Sequence, residues 1–87
     1  MATNCNTPLA FRVTGTGAFA AIYATPLGAS VELTADIANG GSIELRVDAL
    51  AASILLPAGA TVAFNNIDLN RIQIKGNGYV LIVTGQR

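Results

Sequence analysis

The segments Val31-Glu32-Leu33-Thr34-Ala35-Asp36-Ile37 and Ile43-Glu44-Leu45-Arg46-Val47-Asp48-Ala49 alternate apolar and polar residues without a break. A period of two places all the apolar side chains of an extended strand on one face, so each segment predicts a β-strand with a core side and a water side. Between them, Asn39-Gly40-Gly41-Ser42 predicts a hairpin. Residues paired across it must point to the same face, and a two-residue Gly40-Gly41 loop would set Ile37 opposite Glu44, so the loop needs an odd number of residues. Loop 39–41 gives Gly41 the left-handed position but opposes Asp36 to Glu44. Loop 40–42 opposes Asp36 to Arg46, worth roughly 0.2–1 kcal/mol, and is the preferred register.

Outward from this centre, nine glycines and three prolines cut the chain into short β-branched runs, the signature of an all-β domain. Strands are expected near Leu9–Thr14, Ala18–Thr25, Val31–Ala38, Ser42–Ala49, Ser53–Leu56, Thr61–Asn65, Leu69–Lys75 and Tyr79–Thr84. A helix competes only over Ala49–Ile54, which is too short to stand alone and is followed by Pro57-Ala58-Gly59. Tyr79–Val83 is apolar at every position, so the last strand is expected to be buried on both faces, one of them a candidate intersubunit contact.

Strand, Gly-x-Gly, strand occurs twice, at Gly15-Thr16-Gly17 and at Gly76-Asn77-Gly78. Neither continues to a third glycine opening a helix, so the dinucleotide-binding fingerprint fails and turns are expected. The candidate turn glycines are Gly15, Gly17, Gly40, Gly41, Gly76 and Gly78, on the argument that tight hairpins need positive φ.

Composition bears on function mainly by exclusion. Histidine is absent, which removes the commonest general base and metal ligand, and the single cysteine, Cys5, rules out an intrachain disulfide. Glu32, Asp36, Glu44, Asp48 and Asp68 are the only carboxylate side chains, the first four on the polar side of the expected hairpin, so neither an enzyme nor a cofactor or metal site is expected. Five basic residues, Arg12, Arg46, Arg71, Lys75 and Arg87, balance five acids and form no stripe, which argues against nucleic-acid binding. The uncharged stretches 13–31 and 49–66 are broken by Gly, Pro, Thr or Asn, so no membrane helix is expected. Met1-Ala2-Thr3-Asn4-Cys5-Asn6 has neither the charge nor the apolar run of a signal peptide. Tyr23 and Tyr79 follow the two Gly-x-Gly segments and are the candidate side chains for stacking on a sugar.

The chain is 52% hydrophobic and 11% charged, against about 25% charged in ordinary soluble domains. A domain of this length buries only roughly 60% of the surface of its unfolded chain, so surplus apolar side chain is expected to meet other subunits.

The closing block, Ile67-Asp68-Leu69, Ile72-Gln73-Ile74-Lys75-Gly76-Asn77-Gly78 and Tyr79–Thr84, resembles the carboxyl end of small β-rich virion proteins of tailed bacteriophages, the capsid decoration or cement type among them. It covers about a quarter of the chain. The resemblance implies a virion component made in the host cytoplasm, often trimeric, bound to the major capsid protein or another virion protein. A tail or baseplate component and a glycan- or receptor-binding module are the alternatives.

The expected fold is an all-β, single-domain antiparallel β-sandwich or jelly-roll-like barrel over residues 9–87, preceded by a flexible N-terminal arm over 1–8. Its expected core is Val31, Leu33, Ile37, Ile43, Leu45, Val47, Ile72, Ile74, Val80 and Ile82.

Overall fold

The computed structural model describes residues 7–49 and 52–87. The expected arm therefore lies almost wholly outside the described residues, and so do Leu50 and Ala51 in the stretch where a helix competes. The described residues form β1 (Pro8–Thr14), β2 (Ala20–Ala21), β3 (Gly28–Ala35), β4 (Ile43–Val47), β5 (Ile54–Leu56), β6 (Thr61–Asp68), a 3-10 turn (Leu69–Arg71), β7 (Ile72–Lys75) and β8 (Val80–Gln86). The expected strand at Ala18–Thr25 shrinks to two residues, and that at Leu69–Lys75 opens with the 3-10 turn instead.

Two four-stranded antiparallel sheets result, ordered β1-β8-β3-β6 and β2-β7-β4-β5. Pairing of β1 with β8, β2 with β7, β3 with β6 and β4 with β5 is a long ribbon rolled over on itself, the connectivity of a jelly roll. The two sheets remain separate, so the fold is a sandwich and not a closed barrel.

The alternation read from the sequence supplies the core. Val31, Leu33 and Ala35 on β3 face Ile43 and Leu45 on β4 and Ile72 and Ile74 on β7, joined by Leu56, Leu69, Leu81 and Val83; all are buried. Each larger side chain so enclosed contributes on the order of 1.5–3 kcal/mol. Among the described residues no buried side-chain nitrogen or oxygen lacks a hydrogen-bond partner, so the core carries no unsatisfied polar side chain.

The expected hairpin at 39–42 does not form. β3 already has β8 on one side and β6 on the other, which leaves no free edge for β4, and β4 pairs with β5 and β7 in the opposite sheet. The strand also stops early. Asp36 Oδ1 accepts from the Ala38 amide at 3.0 Å while the Asp36 carbonyl accepts from the Asn39 amide at 3.0 Å, an Asp-initiated turn that ends β3 at Ala35. Ile37 is thereby placed outside the core and is 84% exposed. Asp36 meets neither Arg46 nor Glu44, and its ion-pair partner is Arg12 at 3.9 Å.

On β8 the expected parity is reversed. Val83 lies opposite Leu33 and Leu81 opposite Ala35, so these two point inward and are fully buried, whereas Val80 and Ile82 are half-buried on the outer face. Val47, at the end of β4, is also only half-buried.

The two Gly-x-Gly segments make no hairpins, because each carries the chain from one sheet to the other. They lie against one another: the Gly15 amide donates to Tyr79 O at 2.7 Å, Gly78 to Gly15 O at 3.0 Å and Gly76 to Thr16 O at 3.0 Å. Thr14 pairs with Val80 before the bend and Ala20 with Ile74 after it, so residues 15–19 and 75–79 turn the corner in step. A Cβ on Gly15 would collide with the Gly76 carbonyl oxygen, and one on Gly41 would stand 2.7 Å from the Tyr79 hydroxyl. Of the six candidate turn glycines only Gly78, at φ +81°, uses positive φ. Gly15 is required for room because its neighbour is backbone, Gly41 and Gly76 lie close under the Tyr79 side chain, and Gly17 and Gly40 meet nothing closer than an ordinary contact.

Candidate functional site

The fold disperses the carboxylates from which a reaction centre would have to be built. Glu32 lies on the outer face of the β1-β8-β3-β6 sheet and Glu44 on that of the other sheet, by the alternation of their strands. Asp68 caps the 3-10 turn, accepting from the amides of Asn70 at 3.0 Å and Leu27 at 2.9 Å. Asp48 is held by Arg71, whose Nη2 donates to Oδ2 at 2.7 Å and whose Nε reaches both carboxylate oxygens at 3.1 and 3.2 Å. These bonds hold the Asp48 carboxyl below the usual carboxylate range, partly offset by desolvation and assisted by the Arg71 charge, and they raise Arg71 in return. Among the described residues no group of three His, Cys, Asp or Glu could hold a metal ion.

The tyrosines do not form a common platform. Tyr23 sits 5.8 Å from Phe11 between ring centroids, tilted by 53°, while Tyr79 lies over Gly40, Gly41 and Gly76 at the corner. Both are half-buried against the core. An open trough of about 350 Å³ lies on the outer face of the β1-β8-β3-β6 sheet, bordered by Ser30, Glu32, Asn65, Thr84 and Gln86, with no aromatic residue in its lining. Its shape owes something to a bulge in β6, where Asn65 and Asn66 oppose Ser30 alone. Asn66 takes φ +54°, a conformation Asn tolerates, and its amide donates to Ser30 Oγ at 2.9 Å.

The remaining surface feature is apolar. Ile54 and Leu55 on β5 are 47% and 66% exposed, and Ile37 lies beside Gly59 in the turn that leaves β5. β5 is an edge strand of three residues, paired with β4 only, so its exposed side chains border backbone groups without a strand partner. Leu55 lies opposite Glu44, and Glu44 opposite Lys75, on the outer face of the β2-β7-β4-β5 sheet. On the same face Arg46 stands over the ring of Phe19.

Sequence reasoning did not anticipate this face. The alternation of β4 and β7 turns Arg46 and Lys75 outward, but only the pairing of the strands brings them beside Phe19. No helix among the described residues is long and apolar enough to cross a membrane. The chain matches no family model, no curated protein and no solved structure.

Proposed function

We propose that this protein is a non-catalytic structural subunit of a tailed-bacteriophage virion, a capsid decoration or cement protein that binds between shell subunits as a homo-oligomer, a trimer by the resemblance. The observation that carries the assembly reading is the position of Ile37, Ile54 and Leu55. Three large apolar side chains are exposed at the β5 edge and the turn that leaves it: Leu55 on the outer face of β5, Ile54 on its inner face beside Leu45, and Ile37 next to Gly59. Apolar side chains exposed at an unpaired strand edge gain free energy when a partner covers them, and a stable contact of ordinary size buries on the order of 800 Å² per partner.

The phage location rests on the closing block. Its residues build the fold: Asp68 caps, Ile72 and Ile74 fill the core, and Gly76 and Gly78 form the corner. A clip of this kind needs no chemistry, because binding the assembled lattice and not the free subunits stabilises the assembly by mass action. The glycan-binding alternative has its best seat in the polar trough beside Glu32, which lacks a stacking ring.

The test pairs light scattering over a concentration series with co-sedimentation on tailed-phage heads stripped of their decoration proteins. Self-association and saturable binding are expected. Both weaken in the double variant Ile37→Ser, Leu55→Ser, whose melting temperature stays unchanged. A protein that remains monomeric throughout and leaves the heads bare overturns the reading.

A further inference from the structure

Side chains from β4, β7 and the segment before β2 converge on one ring. The Arg46 guanidinium carbon stands 3.9 Å from the centroid of Phe19, Lys75 Nζ stands 5.8 Å from the same centroid, and Arg46 Nε donates to Gln73 Oε1 at 2.7 Å. With Nε committed, the two Nη groups are the donors Arg46 has left. Among the described residues the ion pairs are Arg12 with Asp36 and Arg71 with Asp48, so no carboxylate lies within 4.0 Å of Arg46 or Lys75. Glu44 stands directly opposite Lys75 with its Oε2 accepting from Ser53 Oγ at 3.4 Å on the β5 side, while Asp48, just past β4, is engaged by Arg71. Two cations against one acid leave a single positive charge uncompensated.

A guanidinium tied through one nitrogen and stacked on a ring has already lost part of the side-chain freedom that binding would otherwise cost. Its planar fork matches a planar, singly charged oxyanion. A dianion would overcompensate the one free charge and meet Glu44 as well.

We propose that this cluster seats a carboxylate presented by the acidic surface of a partner protein, with Leu55, two strands away along the row, covered by an apolar group of the same partner. The inference rests on the assembly reading and names the chemistry of the partner surface.

The test is an NMR titration of the isotope-labelled full chain with a tetraglutamate peptide, with inorganic phosphate as a parallel probe. The Arg46 Nε–H and Phe19 ring signals shift saturably with the peptide and return toward their free positions as salt is added. The Phe19 ring shift is lost in Arg46→Gln, reduced in Arg46→Lys and unaffected in Arg12→Gln; should Arg46→Gln fail to fold, Lys75→Gln replaces it. Equal shifts in Arg46→Gln, equal responses at Arg12, no response, or tighter binding of phosphate than of the peptide each overturn the assignment. Peptide binding without binding to phage heads removes the virion reading and leaves the site standing. Head binding that is unchanged in Arg46→Gln does the reverse.

Discussion

Asn39 pairs with Val80 through its side chain as a strand residue would through its backbone: Nδ2 donates to Val80 O at 3.0 Å, and Oδ1 accepts from Val80 N at 2.9 Å. The Asp36 amide donates to the same carbonyl at 3.0 Å. The loop that fails to form a hairpin is thereby fastened to the first residue of β8, where the chain has just crossed from the other sheet.

Replacing Asn39 with Ala leaves a partly buried amide and carbonyl without this partner, and a loss of about 1–3 kcal/mol is expected in urea denaturation. Asn39→Asp does no better at neutral pH, because a carboxylate oxygen then faces the Val80 carbonyl. A loss under a few tenths of a kcal/mol for both would show that water replaces the clamp.

The corner separates two glycines that look equivalent in sequence. Gly15→Ala drives a methyl group into the Gly76 carbonyl and should cost at least about 1–3 kcal/mol, whereas Gly17→Ala meets open space and should change stability by less than about 1 kcal/mol in either direction. Thermal melts of the two variants side by side decide it.

The parity of β8 predicts a second contrast. Leu81→Ala removes a fully buried side chain and is expected to cost about 2–5 kcal/mol, while Ile82→Ala on the half-buried outer face costs roughly 1 kcal/mol. Similar losses at both positions would mean that the outer face of β8 is covered in solution.

Asp48 gives the fold an acid-sensitive contact. Its folded pKa is depressed by the Arg71 hydrogen bonds, so its contribution is present above the unfolded value of about 3.9 and is lost as pH falls through the lower folded value. Urea midpoints from about pH 5 down to about pH 2 should therefore decline more steeply for wild type than for Asp48→Asn. Because both partners are exposed, the difference shrinks at high salt. Parallel curves would mean the pair adds nothing.

Much of this was legible beforehand. The spacing of Leu33, Ile43, Leu45, Ile72 and Ile74 marked them as inward-facing, and all five are buried. Ile37 obeyed the same period and still lies outside, because the Asp36 turn interrupts the strand that would have carried it inward. In Tyr79–Val83 every position is apolar, so the run holds no information about which residues face the core. The Phe19, Arg46 and Lys75 cluster joins residues from three separate parts of the chain, and no spacing along it encodes their meeting.

By itself, the amino-acid order determined most of the strands and, along 31–35, 43–45 and 72–74, which side of each seeks the core. These are properties of a few neighbouring residues, set by backbone geometry and by the avoidance of water. Only the tertiary structure decided which strands lie side by side and which face one another. Strands with the same alternation satisfy their backbone hydrogen bonds equally well beside many partners, so the choice falls to packing between residues far apart in the chain: Gly15 against Gly76, Asn39 against Val80.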